Sequence, residues 1–214
     1  MDQDEKWAVI AEQRRVLADV LAGLPDHQWE QPSLCSQWRV RDVAAHLALT
    51  PQSPGLLRIL AKGVRARGNF DAVNRDLAVQ HAARPPAALV AELRDLAEDR
   101  RKPAITTLDN LVFDTLVHVQ DVALPLGLTV PTPLDAARVG LDRVWRMGWP
   151  FWAKRRLRGL RLTATDVGWT AGAGAEVAGP AAALLLLLTG RAAAALPALT
   201  GPGTAQLLAP NTAS

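Results

Sequence analysis

The chain of 214 residues has one cysteine, no tyrosine, three phenylalanines and four histidines. A lone thiol, Cys35, excludes an internal disulfide and any zinc site built from several thiolates, and it suits a reducing compartment. Without tyrosine, no phenol can serve as general acid or oxyanion donor. Lysine is scarce too, since 20 of the 24 basic residues are Arg. Against 21 acidic residues the net charge is only +3, although the isoelectric point is about 9.6. Abundant Arg and Ala fit a GC-rich coding bias at least as well as a nucleic-acid surface. No long basic run is interleaved with aromatics, so the nucleic-acid footprint is weak. Long apolar runs are also missing. The longest, 181–188, falls well short of the roughly 20 residues that a membrane-spanning helix needs. The opening MDQDEKWAVI is acidic and lacks an apolar signal core, so a soluble, cytoplasmic protein with no membrane partner is expected.

What remains is ordinary globular composition, 49% hydrophobic and 21% charged. Helical spacing of Val9, Ile10, Val16, Leu17, Val20 and Leu21 predicts a helix over 5–21, stopped by Gly23-Leu24-Pro25. Further helices are expected over 40–49, over 56–80 with a break near Gly68, from Pro86 to about 101, over 107–126 and over 134–147. The character then changes. Residues 160–165 alternate as a strand, 168–174 are rich in turn formers, and 176–178 can pair back as a second strand. The expected organisation is mainly α, a helical bundle over 1–149 followed by a small α+β domain over 150–214.

The chemistry concentrates on the 107–126 helix. Leu111, Asp114, His118, Asp121 and Pro125 share one stripe of a helix that is apolar nearly all round, and so buried. Titratable groups there cost several kcal/mol each if unpaired. Asp114 and His118, four apart, are neighbours on the helix surface and can supply two ligands to one metal. His46, on the stripe of 40–49 with Asp42 and Leu49, can supply a third. Two imidazoles and a carboxylate leave coordination positions open, as catalytic zinc does, and non-haem iron uses the same set. Asp121 can orient His118 as an outer acceptor. From spacing alone, such a pair is more often a buried ion pair or polar network than a metal site. His27 and His81 read as surface residues.

The segment Trp29-x-x-Pro32-Ser33-Leu34-Cys35-x-x-Trp38-x-Val40-Arg41-Asp42-Val43-Ala44-Ala45-His46-Leu47 resembles the N-terminal motif of the mycothiol-dependent maleylpyruvate isomerase family, which belongs to the DinB-like four-helix-bundle metalloproteins. Leu116-Val117-His118-Val119-Gln120-Asp121-Val122-Ala123-x-Pro125-Leu126-Gly127 is similar to its second motif. Thr165-Asp166-x-Gly168-Trp169, Gly179-Pro180-Ala181 and Leu186-Leu187-Leu188-Thr189-Gly190-Arg191 are similar to its small C-terminal domain. The resemblance runs through the chain in order. It implies a divalent metal, zinc by the family's precedent, held by His46, Asp114 and His118, with Asp114 standing where the family pattern has Glu. Arg39 likewise stands where the family often has a capping Thr.

The same resemblance implies mycothiol, a sugar-linked cysteine of actinobacteria, as thiol cosubstrate. Its thiolate adds to a small electrophile; adding and leaving isomerises a conjugated double bond, while adding and staying makes a conjugate. Arg191 is the match for an active-site Arg of the C-terminal domain, as a clamp on a substrate or cofactor carboxylate, although its place at a helix end also suits a dipole-favoured cation. Arg75 is a second candidate anion contact. Cys35, in a Trp-flanked loop, reads as packing rather than as the nucleophile. The Lys154, Arg155, Arg156, Arg158, Arg161 cluster reads as a solvated edge, and Trp145, Trp149 and Trp152 as domain packing. The expectation is therefore a metal- and mycothiol-dependent isomerase or transferase. The alternative is a non-catalytic DinB-like protein that binds a small molecule or partner.

Overall fold

A computed structural model of the chain describes residues 1–52, 70–103 and 106–208. These fall into two compact units, Asp2–Val130 and Pro131–Ser214, with Met1 grouped with the second.

In the first unit, helices α1 (Gln3–Ala22), α2 (Val40–Leu49), α3 (Phe70–His81), α4 (Pro86–Asp95) and α5 (Leu108–Ala123) form a bundle. α1 packs on α4 and α5, while α2 packs on α3, α4 and α5. Each helix turns an apolar stripe inward: Ile10, Leu17 and Leu21 from α1, Val43 and Leu47 from α2, Leu89 and Leu93 from α4, and Leu116, Val119 and Val122 from α5 are all buried. Asp2 opens α1 by accepting the Glu5 N–H at 2.8 Å, while Glu5 takes the Asp2 N–H in return. The part of the expected 56–80 helix before residue 70 lies outside the described residues.

α4 is shorter than expected, ending at Asp95 rather than near 101. The reason lies 80 residues upstream. Arg14, only 1% exposed, donates from Nη1 to the carbonyls of Leu96, Ala97 and Asp99 at 3.2, 3.2 and 3.0 Å, so the chain unwinds to present them. Burial lowers the Arg14 pKa to about 10, against the raising influence of Asp99.

The second unit holds α6 (Leu134–Arg146), strands β1 (Leu160–Ala164), β2 (Thr170–Gly172) and β3 (Ala175–Gly179), and α7 (Ala181–Leu188). Sequence reading put α6 with the bundle and the boundary at 149/150. The structure places α6 in the second unit instead, because its buried Ala137, Leu141 and Val144 face the all-apolar α7. β1 is the central strand. β2, inside the expected turn segment, pairs with it antiparallel (Leu162 with Ala171), while β3, the expected 176–178 strand, pairs with it as anticipated but runs parallel (Leu162 with Val177). The chain crosses from one edge of β1 to the other at Gly172 and Gly174, both at positive φ. A Cβ there would lie 2.3 Å from the Leu160 carbonyl oxygen and 2.0 Å from that of Gly159. Asp166 accepts the Ala181 N–H at 2.8 Å at the start of α7, and Arg156 donates to the Leu187 and Leu188 carbonyls at its end. Arg156 thus caps α7 while remaining, with Lys154 and Arg155, on the exposed edge. Trp145 packs edge-on against Trp169, but Trp149 and Trp152 are 57% and 51% exposed, contrary to a packing role for all three.

Candidate metal centre

α2 delivers His46. Its start is held by Asp42, whose carboxylate accepts the Arg39 N–H at 2.8 Å and Arg39 Nε and Nη2 at 2.9 Å each. Arg39 therefore serves where a capping Thr was anticipated, through the carboxylate three residues on. Val40, Val43, Ala44 and Leu47 bury one side of α2 and set the rotation of the other. At its last turn Thr50 Oγ1 donates to the His46 carbonyl at 3.1 Å. α5 delivers the rest. Thr107 Oγ1 accepts the Asn110 N–H at 3.2 Å as its N-cap, and burial on all sides fixes the stripe carrying Asp114, His118 and Asp121.

The three expected ligands meet. One nitrogen or oxygen from each of His46, Asp114 and His118 lies within 4.8 Å of the others. Asp114 Oδ2 is 3.2 Å from His46 Nε2, and Oδ1 is 3.4 Å from His118 Nε2. Ligands 2.0–2.1 Å from a tetrahedral zinc stand roughly 3.3 Å apart; the two contacts are near that length but end on different oxygens of Asp114, so a single Asp114 oxygen as ligand calls for a small adjustment of the cluster. Behind His118, Nδ1 is 2.9 Å from Oδ2 of Asp121, whose side chain is fully buried. That bond turns Nε2 toward the centre. The donor set and its spacing fit a divalent metal with an open coordination position.

Electrostatics agree. Burial opposes charge at both Asp114 and His118, but their mutual attraction outweighs it. The charge and hydrogen bond of His118, joined by His46, hold the Asp114 carboxyl well below the usual carboxylate range. Against the lowering effect of burial, Asp114 and then Asp121 push His118 up to about 9. The Asp114 side chain keeps a third of its surface exposed, so the carboxylate edge of the cluster faces solvent.

Trp38 walls the site. Its ring lies 5.4 Å edge-on from His46 and 6.1 Å, nearly parallel, from His118, while the two imidazoles sit 4.8 Å apart. Sequence reading gave Trp38 no role. The available signal was a Trp closing the turn before the His46 helix.

The family model of the mycothiol maleylpyruvate isomerase N-terminal domain matches residues 10–123, just over half of the chain and all three candidate ligands.

The chain belongs to that family.

Two solved structures share its fold: the mycothiol-dependent maleylpyruvate isomerase (TM-score 0.64, 15% identity) and a histidine-to-alanine mutant of it (TM-score 0.65, 14% identity). In each case 95% of this chain and 94% of the other are covered. No protein of curated function matches. Within this mycothiol maleylpyruvate isomerase relative, the remaining candidates are placed differently. Arg75 donates to the Gln37 side chain, next to Trp38. Arg191 belongs to the second unit, where it donates to the Thr189 carbonyl at 2.8 Å just past α7. Cys35 is partly buried against the bundle core. His27 is exposed, whereas His81 is half-buried. Its Nε2 lies 2.7 Å from Glu92, which also accepts from Gln52 at 2.6 Å and Arg84 at 2.9 Å. No helix among the described residues is long and apolar enough to cross a membrane.

Proposed function

We propose that the protein is a metal-dependent enzyme that uses a low-molecular-weight thiol, mycothiol, to isomerise or conjugate a small electrophilic substrate. The observation that carries this reading is the convergence of His46, Asp114 and His118, whose donor atoms lie within 4.8 Å of one another, with Asp121 behind His118. A divalent ion held by those three residues, zinc by the family resemblance, would supply a lowered thiol pKa and so a thiolate at neutral pH. The protein's own groups supply the rest. Asp114 would offset part of the charge of the bound ion, and Trp38 keeps water from the inner face of the cluster. Arg75, tied through Gln37 to the Trp38 turn, is assigned an anionic group of thiol or substrate. Arg191 is assigned a carboxylate on the strength of the resemblance of the second unit to the family's C-terminal domain. The cytoplasm, where thiols stay reduced, is the proposed location.

Metal analysis by plasma mass spectrometry of untagged wild type beside His118→Ala tests this reading. About one zinc per chain, absent from the variant, is expected, with thiol-dependent turnover in a subsequent electrophile screen. No metal in the wild type after zinc is offered and excess removed would sink it. The four residues would then form a buried polar network in a binding protein.

A further inference from the structure

The Asp121–Pro125 pair at the end of α5 has a role that the ligand set does not include. Asp121 is fully buried, and its carboxylate stays on the helix while its main-chain carbonyl leaves it. The carboxylate goes to His118 Nδ1 at 2.9 Å. The main-chain carbonyl accepts the Leu34 N–H at 3.1 Å, a residue 87 positions away in sequence. In an uninterrupted helix that carbonyl bonds the N–H four residues on, but position 125 is proline and has none. Leu34 belongs to the turn whose Ser33 N–H and Oγ donate to the Trp38 carbonyl at 2.9 and 3.0 Å, while the Trp38 N–H donates to Cys35. The carbonyl released by Pro125 therefore anchors the turn that presses Trp38 against both imidazoles.

We propose that Asp121 is the positioning residue of the centre, setting the donor nitrogen of His118 through its carboxylate and the Trp38 wall through its carbonyl. This rests on the metal-centre reading and adds to it. An imidazole without the carboxylate is free to turn about its ring axis or to place its proton on Nε2, and either change removes a ligand. Asn keeps the size of Asp but loses the charge, and its amide can donate to Nδ1 and favour the wrong tautomer.

The test is zinc affinity by chelator competition and the visible spectrum of the cobalt(II)-loaded full-length protein. Wild type, Asp121→Asn, Asp121→Ala and Thr115→Val are compared. Thr115 is buried on the same helix and, among the described residues, its hydroxyl bonds within that helix, to the Leu111 carbonyl, so it reports loss of stability alone. Asp121→Asn is expected to bind zinc about tenfold more weakly and Asp121→Ala up to about 100-fold, both with altered cobalt bands. Thr115→Val should keep wild-type affinity and bands. Wild-type affinity and spectrum in both Asp121 variants would overturn this proposal while leaving the metal centre standing. A wild type that takes no metal overturns both.

Discussion

At the scale of single residues, the centre is a balance between burial and charge. Asp114 and His118 are each charged only because the other is, and the metal-free protein draws stability from the pair. His118 is raised from 6.5 to about 9 on folding. That contribution is fully present below pH 6.5 and is lost as the pH rises through about 9. It is on the order of 2–3 kcal/mol, or about 5–10 °C in Tm for a chain of this size. Thermal melts of chelator-treated protein at pH 6.5 and 9.5 should show such a fall. In Asp114→Asn the slope should flatten, because the anion that holds the proton is gone. An Asn variant with the wild-type slope would show that another group carries the titration. Asp114 is also where the chain departs from the family pattern, one methylene short of Glu. Its two oxygens nonetheless stand at 3.2 and 3.4 Å from the imidazoles. Asp114→Glu should therefore crowd the centre, and weaker zinc binding by chelator competition is the expected result; tighter binding would mean that α2 and α5 have room for the longer side chain.

At the scale of elements, the bundle is tied by a few polar groups whose partners come from distant segments. Glu92 on α4 gathers Gln52, His81 and Arg84. Burial works against its ionisation, but those hydrogen bonds and the His81 and Arg84 charges hold its pKa below the usual 4.5. Its stabilisation is present above that value and is lost as the pH falls beneath it. Glu92→Gln should cost about 1–2 kcal/mol at pH 7 and almost nothing at pH 3, read by urea unfolding at both pH values. A deficit that persists in acid would trace to packing instead. Pro125→Ala acts on another tie. A restored N–H at 125 competes with Leu34 for the Asp121 carbonyl, so hydrogen exchange at Leu34 should quicken while the amides of α1 keep their protection. Ties of this kind explain what periodicity did not disclose. The spacing of apolar residues places α2 over 40–49 and α5 to within three residues of its end. The early stop of α4 depends on Arg14, which reaches its carbonyls only after the bundle closes. His81 looks like a surface residue until Glu92 is seen beside it.

At the scale of the whole molecule, the candidate ligands all come from one unit, on α2 and α5, although the resemblance spans both units. The three candidate ligands were legible because a buried helix with Asp114, His118 and Asp121 on one stripe needs partners, and the mostly apolar 40–49 helix offers His46. The second unit was less legible. An alternating strand shows its own existence but not its partner's direction, and the parallel β3 depends on a crossing that only Gly172 and Gly174 permit. The placement of α6 was hidden for a similar reason, since its apolar face is matched by α7, nearly 50 residues later. Confinement of the ligands has a measurable consequence. Binding to the native state alone stabilises by about 2.7 kcal/mol when free metal is 100 times Kd. That gain acts on the openings that break the site. Zinc should therefore slow amide exchange by up to about 100-fold in α2 and α5, as followed by mass spectrometry with and without chelator, and leave β1 and α7 little changed. Equal slowing in β1 and α7 would mean that the two units open together and that the centre holds the entire chain.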